Sequence, residues 1–112
     1  MTVLERLKLE LNNKEYFTNA EYKVYLEENN LVDTDVYIKI SMQRDLLYTV
    51  TDILESVAND VDLMRKVETE FSTTSEAIRF LNDRIDRIRN RILNIPETEE
   101  LSTNVSLLFT RG

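Results

Sequence analysis

From Met1 to Ile95 the chain contains neither glycine nor proline: its one proline is Pro96 and its one glycine is the last of 112 residues. Nothing in that stretch forces the backbone out of a helix. The stretch is rich in Leu, Glu, Arg and Lys, whose unbranched stems lose little rotamer freedom in a helix. The expectation is an all-α fold. A chain of this length buries roughly 60 to 70% of the surface its unfolded form exposes. With no cysteine in the sequence, a conventional apolar core has to carry the fold without disulfides.

Apolar spacing divides the chain into helices. Leu4, Leu7 and Leu11 define a first helix over about residues 2–12, closed by Asn12 and Asn13, which tolerate left-handed backbone. Thr18 and Glu21 have capping-box spacing, with Phe17 and Tyr22 placed as a hydrophobic staple, so a short helix follows over about 19–29. Tyr16, Phe17, Tyr22 and Tyr25 read as core and rim packing rather than as a base-stacking platform, because acids flank them. Val36, Ile38 and Ile40 alternate like a strand, yet Val36, Ile40, Leu47, Val50, Leu54 and Val57 continue at helical period; length favours one helix over about 34–58. Asn59 and Asp62 re-cap the chain for a short helix with Val61, Met64 and Val67 inward. Thr73 and Glu76 form a second capping-box pair, opening a helix over about 74–94 that Pro96 ends.

That last helix carries a narrow seam at Ile78, Leu81, Ile85, Ile88, Ile92 and Ile95, in alternating steps of three and four. About two and a half heptads is too short for a coiled coil that stands alone. The seam is therefore expected against the 34–58 helix of the same domain. Five arginines against three acids give residues 74–95 a net charge of +2, leaving −9 on the rest of a chain whose total is −7. Arg79 with Asp83, Asp83 with Arg87, and Asp86 with Arg89 have the spacing of pairs along one helix surface. Three readings stay open for this edge: a solvated ion-pair face, contact with an acidic neighbouring protein through Arg84, Arg87 and Arg91, or nucleic acid. The negative total disfavours the last at long range.

Beyond Pro96 an acidic run precedes Leu101, and then Val105, Leu107 and Phe109 follow at period two. A lone strand cannot satisfy its own backbone groups. Residues 97–112 are thus either a frayed terminus or an extended arm that docks on another chain by strand addition. The domain organisation expected is a helical domain over 1–96, of about four to five helices, and a docking arm over 97–112.

The sequence offers little for chemistry. Histidine is absent, no serine or threonine has a partner that would activate it, and no glycine-rich phosphate loop exists. The pairs Asp33 with Asp35 and Asp60 with Asp62 lie near expected helix starts, where negative charge is favoured; Glu27 with Glu28 and Glu68 with Glu70 complete the set. None has the spacing of a calcium loop. No enzyme, metal site or cofactor is expected. No apolar run reaches the 18 or so residues that cross a bilayer, and "MTVLERLKLELNN" mixes charge into every turn, unlike a signal peptide. A protein made in the cytoplasm, with no membrane contact, is expected.

The run "ILESVAND", then "LMRKVETEFSTTSEA", then "FLNDRIDRIRNRI" resembles small tailed-phage and prophage head-tail connector, or adaptor, proteins; the resemblance covers about residues 46–92. It implies a mostly helical protomer that assembles as a ring, typically dodecameric, beneath the portal protein. Such a ring joins portal to the next neck or tail-completion protein. DNA passes through it without specific binding, it catalyses nothing, and it resides in the virion after assembly in the host cytoplasm. A chain with one basic helix and an acidic body has the unlike surfaces that head-to-tail ring contacts use. The alternative is a small acidic helical binding or regulatory module whose C-terminal tail folds on a protein partner.

Overall fold

The computed structural model describes residues 1–96, and within them the chain is all α-helical: α1 (Val3–Glu10), α2 (Asn19–Glu28), α3 (Lys39–Ala58), α4 (Val61–Glu68) and α5 (Thr74–Leu93). The expected arm over 97–112 lies outside the described residues.

The local start signals work through side chains that the sequence displays. Thr18 accepts from the Glu21 amide while the Glu21 carboxylate accepts from Thr18, the reciprocal box expected for α2. The same box opens α1, between Thr2 and Glu5. At α4 it is Asp60, not Asn59, that caps, its carboxylate accepting from the Leu63 amide at 3.0 Å. At α5 only half of the box forms: Thr73 accepts from the Glu76 amide, but the Glu76 carboxylate accepts from Ser72 instead. Left-handed backbone after α1 and α2 falls on Asn12, Asn13 and Asn30, all with φ near 60°. Asparagine adopts that conformation at lower cost than other non-glycine residues.

The third helix starts five residues later than the sequence suggests. Asp33, Asp35 and Tyr37 are bound to the N-terminus instead: Leu4 N–H donates to the Asp33 carbonyl, Val3 N–H to Asp35, and Tyr37 N–H to Met1. These bonds hold Val36 extended opposite Thr2 in an isolated antiparallel bridge. The alternation of Val36 and Ile38 therefore expresses strand geometry, while Asp33 and Asp35 serve through their carbonyls rather than as helix caps. Ile38 precedes α3 without any side-chain cap.

α3 is the centre of the molecule and touches all four other helices. Leu46, Leu47, Val50, Ile53, Leu54 and Val57 are buried along it, with Thr49 and Thr51 among them. Each threonine hydroxyl donates to the carbonyl four residues back, so neither enters the core unsatisfied. The most extensive contact is with α5, as expected. The two run antiparallel: Arg44 near the start of α3 donates to the Ile95 carbonyl past the end of α5, and Glu55 near its end takes Arg89. Leu81, Ile85, Ile88 and Ile92 are buried in this contact, but the seam begins at Ala77, one step of four before Leu81, while Ile78 is exposed. In α4, Met64 and Val67 point inward and Val61 does not. Tyr22 is fully buried; its hydroxyl donates to the Lys14 carbonyl and accepts from the Tyr16 and Phe17 amides, tying the α1–α2 loop to α2. Phe17 packs edge-on against Tyr22 at 6.1 Å between ring centres, completing the staple.

Because α3 supplies contacts to every other helix, Leu54→Ala is expected to cost about 2–5 kcal/mol in urea denaturation. Val61→Ala, at an exposed position, should stay within about 0.5 kcal/mol. Comparable losses from both would contradict this placement of the core.

Candidate protein-binding surface

Arg84, Arg87 and Arg91 follow one another at helical spacing along a single flank of α5, the flank that faces the C-terminal end of α1. Arg84 donates to the Glu10 backbone carbonyl, and Arg91 donates to the Glu10 carboxylate. Arg6, one turn earlier on α1, holds the other carboxylate oxygen at 3.0 Å. Its guanidinium also lies 5.5 Å from the centre of the Tyr37 ring. Glu10 is thus only 9% exposed, yet both of its carboxylate oxygens and its carbonyl are engaged by arginines.

Burial alone pushes the Glu10 carboxyl up, but the hydrogen bonds from Arg91 and Arg6 together outweigh it and hold the group below the ordinary carboxylate range. Burial pushes the Tyr37 hydroxyl in the opposite sense from acidity, upward. The cluster closes α1 onto α5 and onto the segment before α3.

The expected pairs along α5 are replaced by contacts between helices. Arg89 reaches Glu55 on α3 and Arg91 reaches Glu10 on α1, whereas Arg79, Asp83, Asp86 and Arg87 make no ion pair among the described residues. Side chains at three- and four-residue spacing gain only about 0.2–0.5 kcal/mol from each other. A buried carboxylate with two guanidinium partners competes easily with that. Arg84 and Arg91 are therefore used inside the domain. Arg87 is left exposed over a shallow groove that Gln43, Asn90, Asn94 and Pro96 also line. Leu101, Val105, Leu107 and Phe109 lie outside the described residues.

The surface also carries apolar side chains in groups. Met1, Val36, Ile38 and Ile40 are exposed around the extended segment before α3, and Val36 and Ile40 keep 68% and 77% of their area in solvent. Between α3, α4 and α5, Ala58, Val61, Met64 and Ile78 line an open cleft of about 310 Å³. A larger one of about 530 Å³, between the α1–α2 loop and α4, is lined by charged residues, Lys8, Lys14, Lys66, Glu15 and Glu21, together with Tyr16, Phe17 and Tyr22. Among the described residues no group of three or more acidic side chains is placed to hold a metal ion, and no helix is long and apolar enough to cross a membrane. The Asp60 carboxylate caps α4, and Glu70 pairs with Lys14.

The role of Glu10 was only partly visible in the sequence. Arg6 and Glu10 show helical pairing distance, but Arg91 lies 81 residues away and nothing local points to it. The chain matches no protein-family model, no curated protein and no solved structure.

Glu10→Gln keeps the shape and removes the charge, and it is expected to cost about 1–3 kcal/mol at neutral pH in urea denaturation. The folded-state pKa of Glu10 lies below its unfolded value, so its stabilisation is present above about pH 4.5 and is lost as pH falls through the folded value. The difference between wild type and Glu10→Gln should accordingly shrink on acidification toward pH 3. A difference that stays constant with pH would rule out the carboxylate as its source.

Proposed function

We propose that this chain is a structural head-tail connector subunit of a tailed phage or prophage, a protein that joins a portal ring to the next neck component by protein contacts alone. The resemblance of the α3–α4–α5 hairpin to that family motivates the reading, and one structural observation carries it. Arg87 lines an open groove with Gln43 and Pro96 and has no ion-pair partner among the described residues, and in the segment before α3 and its first turn Val36, Ile38 and Ile40 are more than half exposed. An unpaired surface cation and uncovered apolar side chains suit docking on another protein.

In this reading the subunits meet head to tail. Arg87 contacts an acidic surface of a neighbour, and the segment from Leu101 to Phe109 attaches to the portal or to the next subunit. Arg84 and Arg91 contribute indirectly, by holding the flank on which Arg87 stands. Passing DNA meets a chain of net charge −7, and three of the five α5 arginines are already bound to protein oxygens. Few phosphate contacts are then available to retain it.

A second reading, a helical binding module with one protein partner, is favoured by the cleft at Ala58, Val61, Met64 and Ile78, which has the size and lining for an apolar side chain of a docking helix.

Mixing the purified chain with a portal ring, and measuring mass in solution, separates the two. A symmetric complex with many copies supports the connector; a one-to-one complex with a different partner supports the module. Deleting residues 101–112 is expected to abolish ring or portal attachment while leaving helix content and cooperative unfolding intact. Arg87→Glu should weaken the same attachment at least tenfold without a stability loss beyond about 0.5 kcal/mol, since it breaks no internal bond. Normal docking by both variants would overturn the connector reading.

A further inference from the structure

The open cleft between α3, α4 and α5 does not end at Ile78. Ala58 and Asn59 also line a second one of about 420 Å³, which follows α5 past Asn82 and Ile85 to Arg89, so the two run together as one groove. Its α5 wall extends from Thr74 to Arg89, about 22 Å at the rise of a helix, or roughly four turns. Met64 and Ile85 line it as buried residues, while Val61 and Ile78 keep 70% and 44% of their area in solvent. Apolar side chains gathered in a concave surface and rimmed by polar ones mark an interaction site.

The rim has a sign. Glu55, Asp60, Glu68 and Asp86 bring four carboxylates to the groove against two guanidinium groups, from Arg65 and Arg89, a net charge of −2. Arg89 is bound to Glu55, and Arg65 lies 3.9 Å from Asp62, which does not line the groove. Asp60 caps α4, while Glu68 and Asp86 make no ion pair among the described residues. The groove thus presents uncompensated negative charge beside apolar side chains, although one of its walls is the basic helix α5.

We propose that this groove receives an amphipathic helix of another protein, with aliphatic residues along one face and lysine or arginine on its flanks. The form of the occupant follows from the backbone of the walls. Every lining residue belongs to α3, α4 or α5 or to the caps Asn59 and Asp60, so no open strand edge is offered. An extended partner would leave its own amides and carbonyls unpaired over apolar side chains, whereas a helix satisfies them internally and lays one face into the groove. Its charge follows from the rim, since opposite potentials across an interface fix register and exclude like-charged partners. A second copy fits poorly on that ground: the apolar seam of its basic helix is buried against α3, and the chain outside residues 74–95 carries −9 of the total of −7. Such a partner is that of the binding-module reading, on which the proposal rests; neither a portal nor residues 97–112 take part.

The test uses the full-length chain and a fluorescein-labelled peptide of leucine and lysine, four helical turns long, with its leucines on one face. One control peptide has the same composition in an order that breaks the face, and another has glutamate in place of lysine. In fluorescence anisotropy at about 0.15 M salt, where exposed charges are screened beyond roughly 8 Å, the first peptide should bind at least tenfold more tightly than either control. Val61→Ser/Ile78→Ser, at two exposed positions, should weaken its binding at least tenfold, as should Glu68→Lys/Asp86→Lys. The same charge reversal away from the groove, Glu15→Lys/Glu28→Lys, should leave affinity within about twofold of wild type. Circular dichroism checks that each variant keeps its helix content. Equal binding of the peptide with the broken face, or equal weakening by the two charge reversals, would overturn the proposal. Self-association of the free chain that Val61→Ser/Ile78→Ser abolishes would also overturn it, by making a second copy the occupant. A one-to-one complex with a natural partner that survives Val61→Ser/Ile78→Ser would keep the module reading and overturn this proposal alone, whereas a symmetric portal complex counts against the module reading and leaves the peptide measurement to decide the groove.

Discussion

The antiparallel contact of α3 with α5 is the constraint on which the other elements depend. Both helices are 20 residues long, and the buried seam from Ala77 to Ile92 and the buried residues of α3 belong to one continuous core. Burying each such side chain contributes roughly 1.5–3 kcal/mol, far above what a short isolated helix gains from propensity. α1, α2 and α4, of eight to ten residues each, are shorter than the length at which a helix persists alone in water. They exist because α3 offers them an apolar surface. That is why α3 is buried on several sides while α5 is buried on one, and why arginines concentrate on α5.

Those arginines join the parts that packing alone leaves loose. Arg89 links α5 to α3, and Arg84 and Arg91 link it to the last turn of α1 through Glu10. Glu10 is nearly buried, and it is compatible with that position because two guanidinium groups meet its charge. A carboxylate so placed without them would be costly. The molecule therefore uses three of the five arginines of α5 internally, and Arg79 and Arg87 keep no ion pair among the described residues.

Much of this was legible in the sequence, for identifiable reasons. Caps and staples are local, so Thr18 with Glu21 and Phe17 with Tyr22 could be read at their spacing. The seam on α5 is legible because a period of 3.6 survives whatever the helix packs against, although its first large apolar residue, Ile78, is exposed and the small Ala77 takes the buried place. Three features could not be read so directly. The start of α3 depends on hydrogen bonds with residues 1–4, about thirty positions away, and these hold Asp33 to Tyr37 out of the helix that their periodicity permits. The partners of Arg89 and Arg91 are set by the tertiary approach of helices, while sequence spacing shows only neighbours on the same helix. Val61 has apolar character without burial, and nothing in its spacing distinguishes it from Met64.

The Glu10 cluster also bears on how the molecule comes apart. Between α3 and α5 the side-chain links span 34 residues from Glu55 to Arg89 and 51 from Arg44 to Ile95, whereas Glu10 meets Arg84 and Arg91 across 74 and 81 residues of chain. Loop-closure entropy rises only by about 0.6 kcal/mol per doubling of length, so these long-range links add little cost beyond that of the α3–α5 packing. α1 is held at both ends, by the residues before α3 at its start and by the arginines of α5 at its last turn. Its departure would remove Thr2 from beside Val36 as well as Glu10 from the arginines, so a single cooperative unit couples the far end of α5 to the extended segment before α3.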